Sequence, residues 1–267
     1  MAIFLESSSN QTIKLAASLY EKKGRDRSGL FVLENERFVN ELLSDAAKGF
    51  RVSFFMASEG FAQKNALDAY EAAADTYIVK DALFRRISDV ETPQGILAVC
   101  EQRHYAPEDC ISGDSPLLLL LDEMQDPGNL GTLLRLADAA GANGVLLSAG
   151  SADVYNPKVL RAAAGSALHV PFATGCDFND TIPALQQRGI AVYAAMPNVQ
   201  ALPYALDMQK PTAILIGNEA RGLSDALADI CDARITLPMP GYAESLNAAM
   251  AGGILLYEAV RQRTQNA

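Results

Sequence analysis

The chain has 267 residues, 49% of them hydrophobic and 20% charged, and its formal net charge is −10. This composition is typical of a globular protein with one large or two small domains, and no apolar run approaches the roughly 18 residues of a membrane-spanning helix. The acidic balance argues against nonspecific nucleic-acid binding, which depends on phosphate neutralisation, but it is compatible with a local basic patch.

Cysteine and histidine usage gives no sign of a metal site or a disulfide framework. Only His104 and His169 are present, and no C-x-x-C occurs among the four scattered cysteines, which are Cys100, Cys110, Cys176 and Cys231. A reducing cytoplasm is therefore the predicted location. The N-terminus has Glu6 after a short apolar piece and no basic leader, so we expect no secretory signal.

Residues 11–27 have the spacing of an amphipathic helix that ends near Gly24. Basic side chains are concentrated there, namely Lys14, Lys22, Lys23, Arg25 and Arg27. A solvated helix end explains such a cluster as well as an RNA-contacting patch does. The hypothesis that bears on function is that these five residues bind RNA.

The first 105 residues are predicted to form a small α/β domain. Apolar stretches at 31–33, 52–56, 77–79 and 95–99 read as strands that alternate with helical segments. Residues 101–115 are polar and contain proline, glycine and several acids, which predicts a linker at 106–115.

A second α/β domain is predicted over residues 116–267. It opens with five consecutive leucines, Leu117 to Leu121, as expected of a strand buried on both faces. Further strands are expected at 144–147, 167–170 and 190–194, and helices at 130–140, after Asn156-Pro157 and at 180–188. The sheet should be mostly parallel, with helices on both sides.

Near the C-terminus, two strands end in glycine-bearing polar loops. The apolar run 213–216 breaks at Gly217–Gly222, the strand 234–237 breaks at residues 238–241, and a long helix begins near Ser245. Gly217 and Gly222 have P-loop spacing, but Leu223 occupies the lysine position, so phosphate binding of that kind is not expected. Ser224 is expected to cap the following helix.

Polar loops therefore follow three strands, at residues 126–135, 217–222 and 238–247. Ligands bind beyond the carboxyl ends of strands in open α/β sheets. The reactive-looking side chains there are Asn129, Arg135, Glu219, Ser245 and Asn247. Without histidine, cysteine or three spaced carboxylates, nucleophilic and metal-assisted mechanisms are disfavoured, and group transfer from an activated donor fits better. Glu219 and Arg221 are opposite charges beside an apolar strand, which predicts either a local ion pair or a functional site.

The three loops resemble the signature motifs of the SpoU (TrmH) family of S-adenosylmethionine-dependent RNA ribose 2′-O-methyltransferases. The motifs are Asp126-Pro127-Gly128-Asn129-Leu130-Gly131 with Arg135, Ile216-Gly217-Asn218-Glu219-Ala220-Arg221-Gly222-Leu223, and Leu237-Pro238-Met239 followed by Glu244-Ser245-Leu246-Asn247. The front half resembles the family's L30e-like substrate-binding domain at residues 29–34 and 92–97. The family usually has Glu-Gly where this chain has Glu34-Asn35.

The resemblance implies a deep trefoil knot in the C-terminal domain, with the segment after Thr212 threaded. It implies S-adenosylmethionine as cofactor and a cofactor pocket formed by Leu215, Ile216, Gly217, Leu237, Met239, Ser245, Leu246 and Asn247. It also implies structured RNA as partner, with ribosomal RNA favoured and transfer RNA possible. A homodimer through the C-terminal helix is implied as well, although the stripe Leu246, Met250, Ile254 and Tyr257 is also typical of a plain core.

By the same resemblance, Arg135 acts near the ribose 2′-hydroxyl, with Asn129 and Glu219 orienting groups around it and Ser245 and Asn247 fixing the loop and the cofactor. An arginine is not deprotonated in proteins, so an orienting cation is physically easier than a base. Simpler alternatives are helix capping for the two asparagines and a surface ion pair for Arg135. An RNA- or cofactor-binding module without turnover is the alternative function.

Overall fold

The computed structural model describes residues 2–44, 49–197, 199 and 201–265. The chain forms two compact units. The first comprises the chain up to Arg103 together with Tyr155–Leu168, and the second comprises His104–Val154 and the chain from His169 onward. The segment Tyr155–Leu168, which the sequence had assigned to the second domain, thus belongs to the first unit. In the described part, no helix is long and apolar enough to cross a membrane.

The first unit contains a five-stranded mixed sheet in its described residues, in the order β1-β4-β3-β5-β2. The strands are β1 (Ile3–Leu5), β2 (Leu30–Glu34), β3 (Val52–Ser58), β4 (Asp75–Val79) and β5 (Ile96–Glu101). Strand β4 runs parallel to β1 and β3, whereas β5 is antiparallel to β2 and β3. The helices are α1 (Gln11–Ser18), α2 (Lys22–Ser28), α3 (Glu36–Glu41), α4 (Glu59–Ala62), α5 (Asp68–Ala73), α6 (Asp81–Ile87) and α8 (Pro157–Ala163).

Arg25 explains why the single helix predicted over 11–27 is in fact two helices. Its guanidinium donates hydrogen bonds to the carbonyl oxygens of Leu19 and Tyr20, at 2.8 and 3.1 Å, just where α1 has ended. Carbonyls at a helix end need such donors. Arg25 is only 1% exposed. The prediction that it binds RNA is therefore wrong, because its guanidinium is committed to the turn between the helices.

Asn35 follows β2 with a strained backbone. Its φ of 128° lies where side chains other than glycine's are disfavoured. Its side-chain oxygen partly compensates by accepting a hydrogen bond from the Arg37 amide at 3.1 Å, which caps α3. The preceding Glu34 accepts hydrogen bonds from the Tyr20 and Ser88 hydroxyls, both at 2.6 Å, and burial raises the pKa of its carboxyl.

The second unit contains a fully parallel six-stranded sheet in its described residues, in the order β11-β9-β10-β6-β7-β8. The strands are β6 (Leu117–Leu121), β7 (Gly144–Ser148), β8 (Phe172–Cys176), β9 (Ala191–Ala195), β10 (Thr212–Ile216) and β11 (Ala233–Ile235). The helices are α7 (Pro127–Ala139), α9 (Phe178–Gln187), α10 (Asp225–Asp229) and α11 (Ala248–Thr264). Every residue of β6, β7 and β10 is buried, as the continuous apolar runs predicted.

Two predictions for this part of the chain are wrong. Residues 166–168 form a 3₁₀ turn, and the strand lies further on as β8. A short apolar run cannot distinguish a buried turn from a strand. The proposed linker also contains a 3₁₀ turn, Pro107–Cys110, whose Cys110 is fully buried in the core of the second unit.

Helix α11 packs closely on α7 and on β10. The close approach depends on Gly252, because a Cβ atom there would lie 2.5 Å from a methyl group of Leu133. At the far end of α11, the Arg263 guanidinium donates to the carbonyl oxygens of Ser115, Met208 and Lys210 at 2.8 to 2.9 Å. These contacts fix the C-terminal helix against the segments that lead into β6 and β10.

Replacing Asn35 tests the backbone strain. We expect Asn35→Gly to raise the free energy of unfolding by about 1 kcal/mol, since relief of strain outweighs the lost cap and the greater freedom of the unfolded chain. Asn35→Ala keeps the strain and loses the cap, so it should lower stability by about 1 kcal/mol. Denaturant unfolding measures both, and a destabilised Asn35→Gly would contradict the account.

Candidate active site

The loop after β10 is a tight turn that glycine makes possible. The Gly222 amide donates to the Asn218 carbonyl oxygen at 2.8 Å, with Gly222 at a φ of 68°. A Cβ atom on Gly217 would lie 2.5 Å from the backbone of Gly222, so no larger residue fits. Ser224 then caps α10 by accepting from the Leu227 amide, which confirms its predicted role.

One chain of side-chain hydrogen bonds joins the three polar loops. The Asn247 side-chain oxygen caps α11 by accepting from the amides of Ala249 and Met250 at 2.9 and 3.2 Å. Its Nδ2 therefore faces outward and donates to the Asn129 Oδ1 at 2.9 Å. The Asn129 Nδ2 in turn donates to the Glu219 carboxylate at 3.3 Å. The cap thus decides which atom donates and which accepts in each hydrogen bond of the chain. Because the last donor is the Asn129 Nδ2, the residue at the end of the chain must be an acceptor.

Glu219 is well suited to be that acceptor. Desolvation alone would raise the pKa of its carboxyl, but hydrogen bonds from the Asp126 and Gln125 amides and from Asn129 outweigh it, so the pKa is lowered. The two amides donate at 2.9 and 3.2 Å. Glu219 is therefore ionised at neutral pH, and it fastens the loop after β10 to the start of α7.

A cavity of about 450 Å³ opens beside this hydrogen-bonded chain. This is within the usual size range of sites for small ligands and cofactors. Its walls are largely apolar and include Ile216, Ile235, Leu237, Leu246 and Leu255. Its polar lining comes from Asn218, Glu219, Arg221, Ser245 and the backbone of the loop at 217–222. Such a site can hold a flat apolar ring system on one side and a cationic group near the Glu219 carboxylate.

Most of the predicted cofactor-binding residues meet at this cavity. Six of them line it, namely Ile216, Gly217, Leu237, Met239, Ser245 and Leu246. Asn247 does not line the cavity, but it caps α11 between two residues that do, Leu246 and Ala248. Leu215 is an exception, because it is fully buried within the sheet and paired with Leu120 and Ala194. Leu215 is therefore not available to a ligand.

Arg135 is not part of the hydrogen-bonded chain. It lies on α7 six residues after Asn129, about 9 Å further along the helix axis, and its side chain is exposed. Among the described residues it forms no ion pair, so the alternative of a surface ion pair is not observed. Its place near a ribose stays a prediction.

Several residues of the site were missed in the sequence. Asp126 caps α7 by accepting from the Asn129 amide at 2.7 Å, and the Asp-Pro pair at a helix start was an available signal. Asn218 is nearly buried, and it donates to the Glu123 carbonyl oxygen at 2.8 Å. Ala195, Met196 and Pro197 also line the cavity, and no local pattern announces them.

The remaining RNA candidates lie in the first unit. Lys14, Lys22, Lys23 and Arg27 are all exposed on α1 and α2. Lys22 pairs with Asp26 at 2.8 Å, one turn along the same helix. Such an exposed pair is weak, so it does not prevent Lys22 from reaching a phosphate.

The fold and the site define a class of protein, a parallel-sheet α/β protein with a ligand cavity beyond the carboxyl edge of its strands. Residues 116–257 match the model of the SpoU rRNA methylase family, and residues 10–98 match that of the MRM3-like substrate binding domain. The chain belongs to the SpoU rRNA methylase family.

Relatives and solved structures agree with this assignment. The chain is 34% identical to the 23S rRNA (guanosine(2553)-2′-O)-methyltransferase RlmP of Bacillus subtilis, over 95% of this chain and 97% of the relative. It is 36% identical to the 23S rRNA (uridine(2479)-2′-O)-methyltransferase of Streptomyces viridochromogenes, over 65% of this chain and 62% of that protein. It is also similar to the AdoMet-bound rRNA methyltransferase of Sinorhizobium meliloti, with a TM-score of 0.86, 30% identity, and coverage of 97% and 98% of the two chains.

Replacing Asn247 tests whether the hydrogen-bonded chain matters beyond helix capping. Asn156 provides a matched control, since its side chain caps α8 in the first unit by accepting from the Lys158 amide at 2.9 Å. We expect Asn247→Ala and Asn156→Ala each to lower the free energy of unfolding by about 1 kcal/mol. Only Asn247→Ala should also weaken S-adenosylmethionine binding, measured by calorimetry. Equal affinity for S-adenosylmethionine in the two variants would mean that Asn247 only caps α11.

Proposed function

We propose that this protein transfers a methyl group from S-adenosylmethionine to a ribose 2′-hydroxyl of ribosomal RNA. The observation that carries the proposal is the hydrogen-bonded chain from Asn247 through Asn129 to Glu219, beside a cavity of cofactor size. Relatives named for guanosine and for uridine methylation share this family, so the base remains open. Action on ribosomal RNA is also the reason we expect the protein to work in the cytoplasm.

The cavity fits the cofactor in shape and in charge. When bound, S-adenosylmethionine supplies a methyl group activated by a positively charged sulfur. Leu237, Leu246 and Leu255 offer apolar surface to the adenine ring, and the ionised Glu219 favours a nearby cation. Because the donor is already activated, alignment of the attacking oxygen is the main task of the protein.

Glu219 is better suited to positioning than to accepting a proton. Two backbone amides and the Asn129 side chain donate to its oxygens, and the pKa of its carboxyl is lowered. A carboxylate held in this way is a weak base. We propose that Glu219 and Asn129 hold the loops in register and that Arg135 orients the hydroxyl or an adjacent phosphate as a cation.

We further propose that the first domain, residues 1–105 in outline, is L30e-like and grips the RNA by its shape and phosphates. Its mixed sheet and the match to a substrate-binding domain at residues 10–98 support this proposal. The exposed Lys14, Lys22, Lys23 and Arg27 are its candidate phosphate contacts. Reversing their charges should weaken RNA binding and flatten its salt dependence, and unchanged binding would contradict the proposal.

A trefoil knot in the second domain is also proposed. Strand β10 lies between β9 and β6, the chain then reaches β11 at the sheet edge, and α11 returns to pack on α7 and β10. The contacts from Arg263 to the carbonyls of Ser115, Met208 and Lys210 are consistent with a chain end passed through a preceding loop.

The last proposal concerns a homodimer. Leu246, Met250, Ile254 and Tyr257 are between 42% and 58% exposed, so the interpretation of this stripe as plain core is wrong. Met250, Ile254 and Tyr257 lie on α11, and Leu246 directly precedes its cap Asn247. Neighbouring exposed apolar side chains of this kind call for a partner surface. We propose that two copies pair through α11.

Methyl transfer is the first function to measure. With labelled S-adenosylmethionine and unmodified bacterial 23S ribosomal RNA, we expect a 2′-O-methylnucleoside from the wild type and about 100-fold slower transfer from Arg135→Ala, because misplaced reactants lose roughly that much. Arg188→Ala removes another exposed arginine, at the end of α9, and should transfer normally. A wild type that binds RNA and cofactor without transfer would favour a binding module, and one that binds no cofactor would refute the proposal.

The dimer proposal predicts that one charge on α11 separates the copies. Ile254→Asp should sediment as a monomer at micromolar concentration, because a carboxylate would be buried without a partner. Phe4→Asp is the matched control, since Phe4 is also a large apolar side chain, 49% exposed, but lies on β1. A wild type that sediments as a monomer would contradict the proposal.

A further inference from the structure

Arg221 is a charged residue of the candidate active site that the proposed chemistry leaves without a role. It lines the cofactor cavity, and its side chain is 67% exposed. Its partner is not Glu219, two residues away in the same loop, but Glu123, which follows β6. The ion pair expected from the sequence therefore exists, but with a different carboxylate.

The backbones on both sides of this ion pair are fixed. The Glu123 amide donates to the Ser148 hydroxyl oxygen at 2.8 Å, and the Glu123 carbonyl accepts from the Asn218 side chain at 2.8 Å. Asn218 also accepts from the Arg221 amide at 3.1 Å, which holds the base of the arginine. The two side chains are thus free to rearrange on a rigid frame. An ion pair between side chains that are 41% and 67% exposed contributes little to stability and is easily exchanged for another anion.

RNA approaching this cavity meets an acidic edge. Four carboxylates lie in the two loops concerned, those of Asp122, Glu123, Asp126 and Glu219. Each of them repels phosphate. The 2′-oxygen of a ribose is attached to C2′, and the neighbouring carbon C3′ carries the 3′-phosphate. A 2′-hydroxyl therefore cannot reach a methyl donor in this cavity without bringing that phosphate to the mouth of the cavity. A cation is needed there, and a guanidinium can contact a phosphate through two parallel N–H donors.

We infer that Arg221 binds the phosphate flanking the target ribose and that Glu123 holds the arginine at the cavity mouth until RNA displaces the carboxylate. This inference rests on the proposed methyl transfer to RNA. It makes Arg221 a substrate-binding residue, and it makes the Glu123 carboxylate a competitor of the phosphate for that arginine. RNA binding then breaks one weak ion pair and forms a stronger one, while the backbone frame stays in place.

The test compares variants in RNA binding at several salt concentrations. We expect Arg221→Ala to reduce the slope of log K against log salt by about 0.7 to 0.9, the value for one phosphate contact, and to raise KM for RNA by a larger factor than it lowers kcat. The affinity for S-adenosylmethionine should change less than the affinity for RNA. Arg221→Lys should restore most of the slope, because it keeps the charge. A merely structural arginine would alter cofactor affinity or stability without moving the salt slope.

Glu123→Gln should tighten RNA binding by up to about fivefold at low salt, which corresponds to the weight of an exposed ion pair. In the Arg221→Ala background the same change should have no such effect. Tightening that persists there would mean general repulsion and would overturn the role of Glu123 as competitor. Arg234→Ala is the matched control for Arg221→Ala, since Arg234 also forms ion pairs, with Asp225 and Asp229 at 2.8 and 2.6 Å, but does not line the cavity. It should leave the salt slope of RNA binding unchanged.

The outcomes separate this inference from the proposed function. If the wild type methylates RNA but Arg221→Ala leaves both the salt slope and KM unchanged, the inference fails and the function stands. If the wild type transfers no methyl group, the function fails. In that case the salt slope of RNA binding, compared between the wild type and Arg221→Ala, still decides whether Arg221 contacts a phosphate.

Discussion

The orientation of one amide side chain sets the arrangement of the whole site. Asn247 must point its oxygen at the first amides of α11, because helix N-termini leave N–H groups that need acceptors. Its nitrogen is thereby turned toward Asn129, and Asn129 toward Glu219. Hydrogen bonds that all donate in the same direction, from Asn247 to Asn129 to Glu219, thus connect three loops that are far apart in sequence. For Asn247, helix capping and loop assembly are therefore the same interaction. The capping alternative for Asn129 is wrong, because Asp126 caps α7.

The charge distribution explains how an acidic protein can act on RNA. A cationic methyl donor benefits from carboxylates near its cavity, and the ionised Glu219 supplies one. The same carboxylates repel the phosphates of the substrate. We propose that Arg221 at the cavity and the exposed basic residues of α1 and α2 offset this repulsion locally, because salt screens charges that are farther away. A net charge of −10 is thus compatible with RNA as substrate.

Much of the fold could be predicted because its signals are local. The five leucines of β6 predicted a strand buried on both faces, and Asn156-Pro157 predicted the start of α8. The errors arise where residue pattern alone does not reveal a specific tertiary arrangement. The strand expected at 167–170 is a turn, and the helix expected over 11–27 is interrupted where Arg25 folds back onto the carbonyls of Leu19 and Tyr20.

The sequence by itself determined the family, the three polar loops and most of the side chains around the cavity, because these depend on residue identity at fixed spacing. Only the tertiary structure decided which partners those side chains take. It paired Arg221 with Glu123 across the ends of β6 and β10, which are neighbours in the sheet although 98 residues separate the two side chains. It also buried Arg25 and left Ile254 exposed. Charge and hydrophobicity are properties of a residue, but burial and pairing depend on what the folded chain brings beside it.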